Sequence, residues 1–159
     1  MQDIKIAVIQ TDILWEDIPG NNFHFDKKIS SIKEPVDLLI LPEMFNTGFS
    51  MNTSVCAENS DGCTIEWIKK KAEEKNCVII GSLLINENNK YFNRLICMMS
   101  DGNYRYYDKK HLFRFAGEHE VFSSGNKKIT LSLKGWNICP LICYDLRFPV
   151  WSKNTYENG

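Results

Sequence analysis

The first half of the chain alternates between short apolar runs and longer amphipathic segments. Residues 4–10, 36–41 and 78–84 are short and almost continuously apolar, which is typical of strands that are covered on both faces. Residues 20–32 and 64–76 repeat their apolar side chains at helical spacing, so each segment predicts an amphipathic helix. Strands that alternate with helices in this way predict an α/β fold in which helices pack on a sheet.

Strands dominate the second half of the predicted structure. Four of them are expected, at residues 91–99, 104–108, 129–133 and 136–143. Asp101-Gly102-Asn103 and Lys134-Gly135 are turn sequences, so we expect antiparallel hairpins and therefore a mixed sheet. A long loop is expected at residues 46–61 and a last helix at residues 148–156. The sequence shows no internal repeat and no linker, which indicates one domain, residues 1–159.

The composition narrows the class of protein. With 43% apolar residues, 25% charged residues and a net charge of −1, this is an ordinary globular sequence without the basic surface that nucleic acid requires. No apolar run is long enough to span a membrane, and the first residues lack the pattern of an export signal, so we expect a cytoplasmic protein. The six cysteines are then expected to be reduced thiols, and their spacing predicts no metal site.

Three reactive side chains stand near the ends of apolar runs. Glu43 follows one run, Lys109 and Lys110 follow another, and Cys143 follows a third. Active sites of open α/β sheets gather at the carboxyl ends of strands, so these side chains are candidates for one site. Cys143 is expected on a strand-to-helix turn, where the helix N-terminus would lower the thiol pKa and favour the thiolate. The alternative is a core cysteine that only packs.

The residues by themselves leave the partners of this cysteine open. His111 could form a Cys-His pair with Cys143, or it could only pack and hydrogen-bond locally. Lys109 or Lys110 could stabilise a thiolate and an oxyanion, but both could equally be solvated loop lysines. Glu118 could orient a lysine or position a substrate, and its alternative is a solvated loop acid.

Four segments in this order resemble the nitrilase superfamily of carbon–nitrogen hydrolases, and the resemblance covers nearly the whole chain. The segments are residues 5–10, 41–43 (Leu-Pro-Glu), 108–113 (Asp-Lys-Lys-His-Leu-Phe) and 142–149 (Ile-Cys-Tyr-Asp-Leu-Arg-Phe-Pro). The match is closest to the omega-amidase-like branch. The resemblance implies an α-β-β-α sandwich, of which this chain would carry the N-terminal portion with a mixed sheet. The single carbon–nitrogen hydrolase domain would then be incomplete at its C-terminus.

The resemblance also implies a role for each matching residue. Glu43 would be the general base and acid, and Cys143 would be the nucleophile. The family lysine stands two positions before the His-Leu-Phe sequence, which selects Lys109. Glu118 resembles the second glutamate of the family. The peptide N–H of Tyr144 would join the lysine in stabilising an oxyanion.

The reaction implied by these roles is hydrolysis of the amide of a small acid through a cysteine thioester, without a metal or an organic cofactor. His111 would take no catalytic part. The omega-amidase branch implies 2-oxo acid amides such as 2-oxoglutaramate as substrates. A nitrilase or an N-carbamoyl amidase of the same family is an alternative, and so is a non-catalytic remnant that binds acyl compounds or a partner.

The resemblance further implies a homodimer or a larger homo-oligomer. Phe148-Pro149-Val150-Trp151 is an apolar candidate for the contact, although Trp151 could instead cap the core. The chain ends soon after the cysteine, so we expect an open sheet edge and an uncovered apolar face. The isolated chain is therefore expected to be unstable, prone to aggregate or dependent on a partner copy, and weakly active.

Overall fold

The computed structural model describes residues 2–154, which contain seven strands and five helices. The strands are β1 (Ile6–Val8), β2 (Leu38–Ile40), β3 (Val78–Glu87), β4 (Lys90–Met98), β5 (Tyr104–Asp108), β6 (Leu131–Leu133) and β7 (Trp136–Ile138). The helices are α1 (Ile18–Ser31), α2 (Thr53–Cys56), α3 (Cys63–Lys75), α4 (Glu118–Val121) and α5 (Pro149–Ser152). Short 3₁₀ helices at Arg114–Ala116 and Cys143–Arg147 precede α4 and α5. Within residues 2–154, no helix has the length and apolar content needed to cross a membrane.

Five strands form one mixed sheet in the order β1-β2-β3-β4-β5. Strands β1, β2 and β3 are parallel, with Ile6, Leu38 and Val78 in register, whereas β3, β4 and β5 are antiparallel. The turn between β3 and β4 consists of Asn88 and Asn89, both at positive φ, as a two-residue hairpin requires. Strands β6 and β7 form a separate hairpin. The predicted α/β class with a mixed sheet is confirmed.

Helices α1 and α3 cover one face of this sheet. Helix α1 begins after Asp17, whose carboxylate accepts the Gly20 N–H at 2.9 Å, and α3 ends at Asn76 in the left-handed conformation. Burying one large apolar side chain contributes about 1.5–3 kcal/mol, so the layer between helices and sheet stabilises the fold strongly. Its buried members include Phe25, Ile29, Ile65, Ile68 and Ala72 from the helices and Leu39, Ile79, Leu83 and Ile96 from the strands.

The opposite face of the sheet is covered only in part within the described residues. The β6–β7 hairpin packs on this face through Leu131, and the segment before Cys143 packs on it through Ile142. Ile6 and Val8 of the edge strand β1 are in register with residues of this face and are 50% and 69% exposed. These two side chains are exposed apolar surface at the edge of the sheet.

Several elements differ in length from their predictions. The first strand is β1 alone rather than residues 4–10, because pairing with β2 involves only these three residues. The strand predicted at residues 136–143 ends at Ile138, because its partner β6 offers only three residues for pairing. The loop at residues 46–61 contains the short helix α2. The helix predicted at residues 148–156 is the shorter α5, which ends at Ser152 and is followed by an extended Lys153; residues 155 and 156 of the prediction lie outside the described residues.

Candidate active site

Glu43 lies just after the carboxyl end of β2, in a turn that packs against β3. Met44 has a positive φ of 48° and donates its peptide N–H to the Ser82 hydroxyl at 2.8 Å. Phe45 lies over Gly81, where a Cβ atom would come within 2.9 Å of the phenylalanine ring. These contacts fix the turn, and they hold the Glu43 carboxylate at the sheet edge with 21% of its side chain exposed.

Lys109 follows β5 directly and is fully buried. Its Nζ donates to Oε1 of Glu43 at 2.7 Å and to Oε1 and Oε2 of Glu118 at 3.1 and 3.0 Å. Burial alone would lower the pKa of Lys109, but the two carboxylates outweigh burial and the pKa lies above its usual value. Lys110 is only partly buried, and its ammonium group lies 5.9 Å from the centroid of the Trp151 ring. The geometry therefore distinguishes Lys109 from its neighbour.

Glu118 is the first residue of α4 and is fully buried. In addition to the lysine bonds, its Oε2 accepts the peptide N–H of Phe113. The preceding Gly117 has a φ of 74°, which lets the chain reverse between the 3₁₀ helix and α4. Glu120, two residues further on, is exposed. Glu118 is thus a member of the buried cluster and not a solvated loop acid.

Asn93 completes the cluster, and it was not among the site residues predicted from the sequence. It lies on β4 and is fully buried, and its Nδ2 donates to Oε1 of Glu43 at 2.7 Å and to Oε1 of Glu118 at 3.1 Å. Its backbone carbonyl oxygen accepts the peptide N–H of Lys109 at 3.0 Å. A signal was present, because Asn93 and Arg94 are adjacent polar residues in an otherwise apolar strand, and buried polar groups need partners.

Cys143 begins the five-residue 3₁₀ helix and has a positive φ of 41°. It lines a cleft of about 310 Å³ that Glu43 also lines. The predicted lowering of the thiol pKa is wrong. Partial burial and the charges of Glu43 and Glu118 raise the pKa of Cys143, and the charge of Lys109 offsets them only in part. Burial is the largest of these effects, and two carboxylates outnumber one ammonium group.

His111 bonds to Asp145 instead of pairing with the cysteine. Its Nδ1 lies 2.8 Å from Oδ1 of Asp145, and its ring stacks on Phe148 with 3.7 Å between centroids. Asp145 is fully buried and also accepts the Tyr107 hydroxyl at 2.6 Å and the Ile142 N–H at 3.2 Å. Its carboxylate therefore ties the 3₁₀ helix to β5. Within residues 2–154, no three His, Cys, Asp or Glu side chains are grouped to hold a metal ion.

Fold and site together define a class of α/β protein in which a carboxylate, a buried ammonium group and a cysteine lie beyond the carboxyl ends of strands in one sheet. The sequence matches the carbon-nitrogen hydrolase family model over residues 5–159. The chain therefore belongs to the carbon–nitrogen hydrolase family, the nitrilase superfamily that its motifs resemble.

Two curated relatives show where in the family the similarity lies. The chain is 39% identical over 154 residues to "Omega-amidase YafV" from Escherichia coli K12 and 29% identical over 161 residues to "2-oxoglutaramate amidase" from Bacillus subtilis. Each alignment covers 97% of this chain, but it covers 59% of the first relative and 61% of the second. The chain thus spans about three fifths of the length of these relatives.

Solved structures agree with this assignment. XC1258 from Xanthomonas campestris, a CN-hydrolase superfamily protein with an arsenic adduct in its active site, matches with a TM-score of 0.95 at 39% identity. The match covers 99% of this chain and 59% of XC1258. Nit3 from Saccharomyces cerevisiae matches with a TM-score of 0.78 at 26% identity, over 93% of this chain and 58% of Nit3. The fold is that of the nitrilase superfamily.

Proposed function

We propose that this protein hydrolyses the amide of a small acid through a thioester on Cys143. The observation that carries the proposal is the buried Lys109 ammonium group, which lies between Glu43 and Glu118 and whose charge offsets part of the rise in the pKa of the nearby Cys143 thiol. A fully buried charge persists in a protein only when it is paired, and its field acts strongly on groups beside it. Such a group is suited to stabilise negative charge on a substrate oxygen.

The charge count of the cluster supports Glu43 as the proton acceptor. Two carboxylates and one ammonium group give a net charge of −1 while the thiol is neutral. Passing the thiol proton to Glu43 leaves this total unchanged, whereas releasing the proton to solvent would add a second negative charge. Both oxygens of Glu118 already accept bonds from Lys109, and Oε2 also accepts the Phe113 N–H. We therefore assign the role of proton acceptor to Glu43, and to Glu118 the role of holding the Lys109 ammonium group.

In the first half of the proposed reaction, the sulfur of Cys143 attacks the amide carbon while its proton passes to Glu43. The carbonyl oxygen becomes an oxyanion, which Lys109 and the peptide N–H of Tyr144 stabilise, each donor contributing about 3 kcal/mol. Glu43 then gives the proton to the amide nitrogen. The carbon–nitrogen bond breaks, ammonia leaves and the thioester remains.

In the second half, water attacks the thioester and transfers one proton to Glu43. The carbon–sulfur bond breaks, the acid is released, and the sulfur of Cys143 takes the proton back from Glu43. The sum is amide plus water giving acid plus ammonia, so no cofactor is consumed. Glu43 acts as base and acid twice, which agrees with a carboxylate that is partly reached by solvent.

The substrate class that we propose is the terminal amide of a short 2-oxo acid. Support comes from the relatives called omega-amidase and 2-oxoglutaramate amidase, of which the former is 39% identical to this chain. The test is ammonia release from 2-oxoglutaramate, from an N-carbamoyl amino acid and from a simple nitrile. Cys143→Ala is the inactive variant, and Cys63→Ala is the matched control because Cys63 is also an exposed free cysteine but does not line the cleft.

We expect ammonia from 2-oxoglutaramate with the wild type and with Cys63→Ala, and none with Cys143→Ala. An acid-quenched sample should carry the acyl group on Cys143 in its peptide mass spectrum. Ammonia from the nitrile or the carbamoyl compound alone would refute the substrate class. Equal rates in wild type and Cys143→Ala would refute the thioester mechanism.

We also propose that the protein works in the cytoplasm as a homodimer or a larger homo-oligomer. Leu146 and Val150 are 76% and 85% exposed and stand close together in the chain, which supports a contact there. Trp151 donates its indole N–H to the Tyr107 hydroxyl at 3.0 Å, so this side chain belongs to the internal packing. Sedimentation velocity should show a smaller species for Val150→Asp than for the wild type, and equal masses would contradict the contact.

A further inference from the structure

Asn93 contacts all three charged members of the cluster. Its Nδ2 donates to Oε1 of Glu43 at 2.7 Å and to Oε1 of Glu118 at 3.1 Å, while its backbone carbonyl oxygen accepts the peptide N–H of Lys109. Because Nζ of Lys109 donates to the same two Oε1 atoms, two nitrogens and two oxygens form a closed ring. Each carboxylate is thus held by an ammonium group and by an amide.

The neighbours of Asn93 dictate which way its amide points. The reverse orientation would place Oδ1 at 2.7 and 3.1 Å from two carboxylate oxygens, where no hydrogen bond is possible. In the observed orientation Oδ1 is buried and has no hydrogen-bond partner among residues 2–154. An unpaired buried oxygen destabilises a fold. The side chain therefore leaves one polar atom unsatisfied while the other holds Glu43 and Glu118.

We propose that Asn93 is a positioning residue for proton transfer, an inference that rests on the proposed role of Glu43. Both donors to Glu43 bind Oε1, which leaves Oε2 free of these two bonds and able to take the thiol proton. A carboxylate held at one oxygen by two donors cannot rotate without breaking both bonds, so its second oxygen keeps one direction. Proton transfer needs that direction, since donor and acceptor must come within about 2.6–3.2 Å.

Two variants test the proposal. Asn93→Leu removes both side-chain bonds at similar volume, and Asn93→Ser keeps a hydroxyl donor that is too short to reach both carboxylates. Ile68→Val, a change in the layer between α3 and the sheet, is the control for a loss of stability alone. Two rates are measured for each protein: ammonia release from 2-oxoglutaramate and iodoacetamide labelling of Cys143 at neutral pH. Labelling of the exposed Cys139 in the same sample is the internal reference.

For Asn93→Leu we expect kcat to fall by about tenfold to a hundredfold while KM stays within about twofold. This is the size of effect expected when hydrogen bonds to a charged group are lost. Cys143 labelling should slow by a similar factor with Cys139 labelling unchanged, and Asn93→Ser should lie between Asn93→Leu and the wild type. Ile68→Val should keep the wild-type values of both rates.

Wild-type kcat and labelling in Asn93→Leu would overturn the proposal, and so would equal losses in Ile68→Val at a similar change in Tm. If Asn93→Leu does not fold, Asn93→Ser is judged by the same criteria. If the wild type releases no more ammonia than Cys143→Ala, the proposed function fails instead. The labelling rates then still decide the question, since slower labelling of Cys143 supports positioning by Asn93 and unchanged labelling refutes it.

Discussion

Lys109 balances two carboxylates in the protein interior, so its removal leaves buried charge without a partner. Lys109→Met keeps most of the apolar stem of the side chain and deletes three hydrogen bonds, of 2.7, 3.0 and 3.1 Å. Two of these bonds are accepted by Glu118, which is fully buried, and one by Glu43, whose side chain is 21% exposed. The loss therefore falls mainly on Glu118, which water does not reach.

The magnitude follows from this burial. Breaking a buried ion pair by deleting one partner costs about 3–5 kcal/mol, whereas an exposed pair contributes about 0–1 kcal/mol. Since one of the two carboxylates is buried and the other is partly hydrated, we expect the free energy of unfolding to fall by about 3–4 kcal/mol. Glu118→Gln in the same background removes the orphaned charge, so the double variant should recover about 1–2 kcal/mol.

Urea denaturation followed by tryptophan fluorescence and circular dichroism measures these differences, provided that the m-values of the variants agree. Lys110→Met is the matched control and should change the free energy of unfolding by less than about 0.5 kcal/mol. A loss below about 1 kcal/mol in Lys109→Met would refute the reasoning. The same conclusion would follow if the double variant were no more stable than Lys109→Met.

Three further outcomes are expected. Glu43→Gln removes a charge that raises the pKa of Cys143, so the pH midpoint of Cys143 alkylation should move to lower pH; an unchanged midpoint would contradict the charge count. The Asp145 carboxylate accepts hydrogen bonds from Tyr107, His111 and Ile142, so the amide N–H₂ of Asp145→Asn would face donors. We expect this variant to lower the free energy of unfolding by about 1–3 kcal/mol in urea denaturation, whereas Asp12→Asn at an exposed position should not change it. The folded pKa of Lys109 is raised, so its contribution is complete below the unfolded value of about 10.4 and is lost as pH rises through the folded pKa. The stability difference between wild type and Lys109→Met should therefore shrink above about pH 10, and growth with pH would contradict this sign.

Local pattern was sufficient to predict most of the sheet and both long helices. Apolar runs and helical spacing depend on which faces of a segment are covered, and this is visible within the segment itself. The ends of the short strands were predicted less well, because a strand extends only as far as its partner. Strand β7 stops at Ile138 because β6 offers three residues, and nothing within residues 136–143 shows that limit.

The positions of the candidate residues in the sequence also indicated that they share one site. Glu43 and Lys109 follow strands whose ends lie at one edge of the sheet, as the position of the apolar runs predicted. The choice of Lys109 over Lys110 needed the family resemblance, and the physical reason appears only in the folded chain. One lysine is enclosed by two carboxylates, and the other lies at the surface beside an aromatic ring.

The direction of the pKa shift of Cys143 and the contacts of Asn93 were decided by tertiary structure alone. The turn at Cys143 predicted a lowered thiol pKa, whereas burial and the charges of Glu43 and Glu118 raise it. A pKa sums over every charge nearby in space, and these charges come from separate strands and turns. The sequence determined which reactive groups the chain carries; their distances and burial, and hence their chemistry, depend on how the sheet brings distant segments together.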